Sequence, residues 1–168
     1  ILKKVKAGTG LVGALSSRDE YLQEIMGTSS FDWNWTVWSG EAQGIPDFLG
    51  RGEFQGQPDY TSGHTGGASL RISCTLAEPG SRENPRAGWS PASVELEPGA
   101  EYVFSCWSRT EGQQQGGAFV SLYPQRPDLA IPPSDDWRLN ELRFTADPAR
   151  PSAGCYLLNG GVGTVWYD

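Results

Sequence analysis

The stretch EYVFSCWSR at residues 101–109 decides the fold class, because its side chains alternate with a period of two. In an extended strand, alternate side chains point to opposite faces of a sheet. One face of this strand is apolar and consists of Tyr102, Phe104 and Cys106. The opposite face is half polar and carries Trp107 and Arg109. We predict that the apolar face belongs to the core. The mixed face is too polar for a core face, and a large aromatic residue is unusual on a face that only contacts solvent.

Further stretches of the chain alternate in the same way. They cover residues 68–75, 92–96, 118–123, 137–145, 154–158 and 164–168. Short strands separated by turn residues are typical of an all-β sandwich or barrel. Pro98-Gly99 forms a tight turn that leaves no room for a crossover helix, so we expect antiparallel pairing. The predicted architecture is an all-β sandwich or barrel of antiparallel strands.

Residues 1–28 precede this pattern and are interpreted as a lead segment or the end of a preceding domain. Ser17 and Glu20 have the spacing of a capping box, and the apolar residues of 21–26 follow at helical spacing. We therefore expect one short helix here. The 168 residues are close to the length of one domain, which we place at residues 29–168.

The charge of the chain argues against several kinds of partner. The net charge is −7, and the lysines are confined to Lys3, Lys4 and Lys6. A protein that neutralises the phosphates of a duplex needs a basic face, so we expect no nucleic-acid partner. No stretch approaches the ~20 apolar residues of a membrane span, so we expect no membrane partner either.

The cysteines fit neither a zinc spacing nor a dense disulfide framework. Cys74, Cys106 and Cys155 each stand in or beside a predicted strand. We expect each to be a small buried hydrophobic residue. One disulfide with a spare thiol is the alternative.

Catalytic groups are sparse. His64 is the only histidine, and a hydrolytic triad or a zinc site would need partners that the sequence does not indicate. We interpret it as a structural loop residue. Asp135-Asp136 and Glu95/Glu97 are the paired carboxylates available to a glycosidase, but sequence neighbours rarely converge across a substrate. We expect that the chain is not an enzyme.

Aromatic rings beside amide and guanidinium groups favour sugar binding. A sugar has apolar C–H faces and a rim of hydroxyl groups, so its site needs rings together with hydrogen-bonding groups. The candidate ligand-binding residues with these properties are Trp107, Arg109, Tyr123, Trp35, Trp38 and Gln115. Trp137 and Trp166, by contrast, are expected to pack or to cover a sheet edge.

Several short motifs occur in a fixed order along the chain. They are Phe31-Asp32 followed by Trp33 and Trp35, GHTGGASLRIS at 63–73, VELEPGAEY at 94–102 with FSCW at 104–107, Asp136-Trp137 leading to FTA at 144–146, and GTVWYD at 163–168. This series resembles the carbohydrate-binding modules of the galactose-binding-like β-jelly-roll type, the type of families 4, 9, 16 and 22. The match covers roughly residues 29–168.

The resemblance implies a two-sheet jelly roll without catalysis of its own and with a structural calcium ion. The matching positions for calcium ligands are Asp32, Asp168 and a backbone oxygen near Gly66. A hard cation of this kind prefers six to eight oxygen ligands. The resemblance also places Trp107 and Arg109 on the sheet face that forms a ligand cleft, with Arg71 and Tyr123 as expected neighbours.

These observations lead to a hypothesis of a non-catalytic polysaccharide-binding module. We expect it to be a monomer, covalently linked to a catalytic domain such as a glycoside hydrolase, and secreted to the extracellular space or cell surface as part of a larger protein. The alternative is a structural accessory β-sandwich domain that packs on a neighbouring domain or protein and binds no sugar. A glycan lyase or hydrolase is a third hypothesis, which only measured turnover would support.

Overall fold

The computed structural model describes residues 2–6, 10–11, 36–39, 51–64, 67–79, 85–90, 94–114, 117–125 and 128–168. This part of the chain is all-β and contains no helix. The helix predicted within 17–26 lies outside the described residues. Within the same ranges, nothing has the length and apolarity of a membrane-spanning helix.

The strands are numbered in chain order. They are β1 (Leu2–Lys6), β2 (Gly10–Leu11), β3 (Thr36–Ser39), β4 (Arg51–Asp59), β5 (Ser69–Glu78), β6 (Ala87–Ser90), β7 (Val94–Glu95), β8 (Glu101–Glu111), β9 (Ala118–Tyr123), β10 (Asp128–Ala130), β11 (Arg138–Thr145), β12 (Ser152–Asn159) and β13 (Gly163–Tyr167). Each strand predicted from alternation overlaps one of them, because the alternation of side chains depends only on the sequence of the strand itself.

The strands form two antiparallel sheets. The first has the order β2-β1-β8-β13-β5-β4, and β11 also pairs with β8, from Ser108 opposite Arg138 to Glu101 opposite Thr145. The second has the order β10-β9-β12-β6-β3, and β7 also pairs with β12. The predicted two-sheet antiparallel sandwich is confirmed.

The core lies between the sheets. The first sheet contributes Leu70, Ile72, Phe104, Cys106, Val165 and Tyr167, and the second contributes Trp89, Ala118, Val120, Leu122 and Leu157. The apolar faces predicted for 68–75 and 101–109 are thus the core faces. A smaller cluster at one end, built on Leu96 and Tyr102, packs beside the turn at Gly99. Gly99 has a φ of 74°, a conformation that other residues adopt only with strain.

The three cysteines are free and lie on strands. Cys74 and Cys106 are buried, and Cys155 is partly buried against the core. The expectation of small buried hydrophobic residues is confirmed for Cys74 and Cys106, whereas Cys155 is only partly buried; none of the three forms the alternative disulfide. Burial raises the pKa of Cys106 and of Cys155 to about 12, so both thiols are protonated at neutral pH.

One buried amide joins the ends of three strands. Asn159 is fully buried, and its Oδ1 accepts hydrogen bonds from the Gly161 N–H and from Gln113 Nε2, each at 3.1 Å. Its Nδ2 donates to the Gly163 carbonyl at 3.2 Å. The side chain therefore ties the turn between β12 and β13 to the segment that follows β8.

Candidate functional site

The outer face of the first sheet brings one row of large side chains together across four strands. Gln57 on β4 lies opposite Arg71 on β5, Arg71 lies opposite Trp166 on β13, and Trp166 lies opposite Arg109 on β8. Side chains that are directly opposite in adjacent strands share a face and contact each other. The mixed face predicted for residues 101–109 is therefore part of a wider surface.

Trp166 is the centre of this row and is only 5% exposed. The Cζ atom of Arg109 lies 4.3 Å from the ring centroid and that of Arg71 lies 5.7 Å away, both within cation–π range. The indole Nε1 donates a hydrogen bond of 2.8 Å to Asp59 Oδ2. The expectation that Trp166 packs is confirmed. Its strand β13 is a central strand of the sheet, so the ring does not cover a sheet edge.

Arg71 and Arg109 are partly buried and retain unused donors. The Nε atom of each is buried and has no hydrogen-bond partner. Within the described ranges, neither guanidinium forms a hydrogen bond or an ion pair. The terminal Nη groups are not among these buried atoms, so they and the positive charge are what the surface offers to a ligand.

Both oxygens of the Asp59 carboxylate accept hydrogen bonds from the protein itself. Oδ1 accepts hydrogen bonds from Thr61 Oγ1 at 2.7 Å and from the Thr61 N–H at 2.9 Å, while Oδ2 accepts that from Trp166. The bonds from Thr61 are the main cause that lowers the pKa of Asp59 below its usual value. Asp59 is thus ionised and holds Trp166 in place.

A second row begins at Trp107, which lies opposite Leu139 of β11 and exchanges backbone hydrogen bonds with Asp168. The His64 imidazole stacks on Trp107, with ring centroids 3.5 Å apart and planes inclined by 13°. The His64 N–H donates to Asp168 Oδ2 at 2.6 Å. His64 also meets the edge of Trp137 at 6.4 Å, and Arg109 lies 5.8 Å from the Trp137 centroid.

His64 lies on this surface, although its sequence context predicted only a structural loop residue. Its side chain is exposed and covers one face of Trp107. The motif GHTGG and Asp168 were both assigned to the expected calcium site, and that shared assignment was the available signal that His64 lies near the end of β13.

Two of the remaining predicted ligand residues, Tyr123 and Trp38, belong to the second sheet and not to the sheet of Trp107. Tyr123 is 56% exposed, but it lies on β9 in the second sheet, so its predicted proximity to Trp107 is wrong. The reason is strand order, since β9 pairs with β12 and β10. Trp38 also belongs to the second sheet, on β3. Trp35 and Gln115 lie outside the described residues.

Of the predicted calcium ligands, the structure describes Asp168 alone, because Asp32 and Gly66 lie outside the described ranges. Within those ranges, no group of three or more His, Cys, Asp or Glu side chains could hold a metal ion. The calcium site stays a prediction.

No family model matches this chain, and no curated protein matches it. A structure described as "CBM4 structure and function" has a TM-score of 0.54 at 14% identity, over 85% of this chain and 89% of that one. A cyclase from Fischerella sp. TAU, in complex with 4-(1H-indol-3-yl)butan-2-one, has a TM-score of 0.54 at 15% identity, over 83% of each chain.

A larger protein contains the same fold as a part. The enzymatically active domain of tailspike protein 4 from bacteriophage CBA120 has a TM-score of 0.50 at 14% identity over 80% of this chain, which spans only 18% of the tailspike chain.

The similarity to the CBM4 structure confirms the resemblance to carbohydrate-binding modules as a likeness of fold. The same β-sandwich also occurs in a cyclase and in a tailspike enzyme, so the fold is compatible with catalysis as well.

Proposed function

We propose that this chain is a non-catalytic glycan-binding domain whose ligand lies on the outer face of the first sheet. The observation that carries the proposal is the row Arg71, Trp166 and Arg109, in which both guanidinium groups keep unpartnered donors beside aromatic rings. Sugar hydroxyl groups supply acceptors for such donors, and sugar C–H faces pack on rings. The fold shared with a carbohydrate-binding module supports this function.

The rings available to a sugar are those next to the covered Trp166. His64 is exposed, while Trp107 and Trp137 are partly buried. His64 and Trp107 stack in parallel, so they act together as one apolar surface. A ligand that lies along the sheet would meet this surface and then the two arginines.

We further propose that the domain belongs to a secreted, larger protein and holds a linked carbohydrate-active enzyme at its substrate. Tethering raises the local concentration of substrate, so weak binding is sufficient. Because weak binding is sufficient, one copy of the domain can serve this function, and we propose that it is a monomer.

Affinity electrophoresis tests the proposal. The chain is run through gels that contain xylan, mixed-linkage glucan, laminarin, mannan, alginate or pectin, beside the variants Trp107→Ala and Tyr123→Ala. We expect retardation by at least one glycan and about fivefold weaker binding for Trp107→Ala, since an aromatic contact contributes ~1 kcal/mol. Tyr123→Ala removes an exposed ring from the other sheet and should bind as the parent does.

Two results would contradict the proposal. If no gel retards the folded chain, the accessory-domain alternative takes its place. If Tyr123→Ala loses binding while Trp107→Ala keeps it, the ligand lies on the second sheet.

We also propose that calcium binds at Asp32, Asp168 and the backbone near Gly66, where it would stabilise the domain. A ligand that binds only the folded state at 100 times its Kd stabilises by ~2.7 kcal/mol, which for a domain of this size raises Tm by roughly 5–10 °C. We expect this shift on replacing EGTA with millimolar Ca²⁺, and no shift for Asp32→Asn. An equal Tm with Ca²⁺ and EGTA would refute the site.

A further inference from the structure

We infer that the glycan recognised by this surface is acidic, with a carboxylate or sulfate group bound between Arg71 and Arg109. The inference rests on the proposed function, because it names the class of polysaccharide that the same surface takes. It follows from the donors, the spacing of the two cations and the state of the neighbouring carboxylates.

The two guanidinium groups need acceptors that the described residues do not supply. Each carries five N–H donors in a planar fork; the Nε is buried, and the four N–H groups of the two terminal nitrogens are those that a ligand can reach. Leaving a buried donor unpaired costs free energy, and the cost is larger for a charged group. A carboxylate or a sulfate matches the fork with two parallel hydrogen bonds, whereas a single hydroxyl accepts fewer and adds no charge.

The two cations also lie close together. Both flank the ring of Trp166, and their strands are separated only by β13. Two strand spacings amount to about 10 Å between the backbones. Because both groups are partly withdrawn from water, their repulsion is weakly screened, and a bound anion would remove it.

Two of the three nearby carboxylates accept hydrogen bonds from other residues. Asp59 has both oxygens occupied by Thr61 and Trp166, and it attracts Arg71 without forming an ion pair. Asp168 accepts the His64 N–H. Glu111 is exposed and lies in the next row, opposite Thr164. Arg109 is therefore the less compensated of the two arginines.

The charge of the whole chain makes this local arrangement informative. At a net charge of −7, the protein repels polyanions in general. Binding of an acidic glycan would therefore depend on the two arginines and not on overall attraction.

Matched glycans test the inference on the full chain by calorimetric titration at 50 and 300 mM NaCl. Polygalacturonate is compared with its methyl ester, and a sulfated galactan with its desulfated form; xylan and laminarin serve as neutral ligands. We expect one acidic glycan to bind at least tenfold more tightly than its uncharged counterpart, with weaker binding at the higher salt concentration. Preference for polygalacturonate would assign the anion as carboxylate, and preference for the galactan would assign sulfate.

Variants connect the preference to the site. Arg109→Gln should abolish the preference for the acidic form, and Arg109→Lys should restore part of it because the charge returns without the fork. Arg143→Gln removes the same charge from an exposed position on β11 and should leave the preference intact. Thermal unfolding of each variant verifies that it is folded; if Arg109→Gln is not folded, Arg71→Gln takes its place.

The failure of this inference differs from the failure of the proposed function. Equal binding of acidic and uncharged forms, or an equal loss in Arg143→Gln and Arg109→Gln, would overturn the acidic ligand while glycan binding stands. Absence of binding to every glycan would overturn both.

Discussion

Replacing Trp166 with alanine is expected to lower the free energy of unfolding by about 4 kcal/mol, as for large aromatic side chains in well-packed surroundings. The ring is only 5% exposed although it lies on the outer face of a sheet. Its removal would take the cation–π partner from Arg71 and Arg109 and the Nε1 donor from Asp59. Urea denaturation measures the loss as a lower midpoint at constant slope.

Two further variants make the Trp166 result specific. Trp166→Phe keeps an aromatic ring but removes the hydrogen bond to Asp59. Loss of this bond should add about 1 kcal/mol to the cost of replacing the indole with a smaller ring. Leu139→Ala changes a side chain that is 49% exposed on β11, which β8 separates from β13, and should stay within ~0.5 kcal/mol of the parent. A loss below 1 kcal/mol for Trp166→Ala would contradict the packing described for this row.

Replacing Asn159 with alanine is expected to cost about 3 kcal/mol. The substitution strands the buried Gly161 N–H and the Gln113 amide, whose Oε1 already has no partner. Each buried polar group that loses its partner costs about 1–3 kcal/mol. For a domain of this length, the loss corresponds to a Tm lower by roughly 6–12 °C in differential scanning calorimetry.

Asn140 provides the control for the Asn159 variant. It is also a strand asparagine, and its Nδ2 donates to Ser108 Oγ at 2.8 Å, but it is partly exposed. Its bond to the Arg138 carbonyl is exposed and water can replace it, so Asn140→Ala should cost about 1 kcal/mol, less than Asn159→Ala. Equal losses in the two variants would show that burial of Asn159 is not what makes its hydrogen bonds important.

Alternation within single strands predicted much of this fold from the sequence. Leu70, Ile72 and Cys74 all lie in the core, as do Tyr102, Phe104 and Cys106. The period of two is a property of neighbouring residues, so it can be recognised without knowing which strands pair. The same property placed Trp107 and Arg109 together on the opposite face.

Pairing between distant strands could not be predicted in this way. The strand that contains Tyr123 shows the same alternation as the strand that contains Trp107, yet the two strands belong to different sheets. The stack of His64 on Trp107 depends on where the segment after β4 meets the end of β13, which is a contact between parts of the chain far apart in sequence. Arg71 and Arg109 were both identified, but Trp166 between them became evident only from the strand order.

The position of β13 has a consequence for how the protein is made. This strand lies between β5 and β8, and pairs with residues about a hundred positions earlier in the chain, such as Trp166 with Arg71. During synthesis, the edges of β5 and β8 that pair with β13 cannot form these hydrogen bonds until residues 163–167 have emerged from the ribosome. Such late, long-range closure slows folding and prolongs the exposure of edges on which other chains can add. The growing chain thus remains vulnerable to aggregation until its last described strand is inserted.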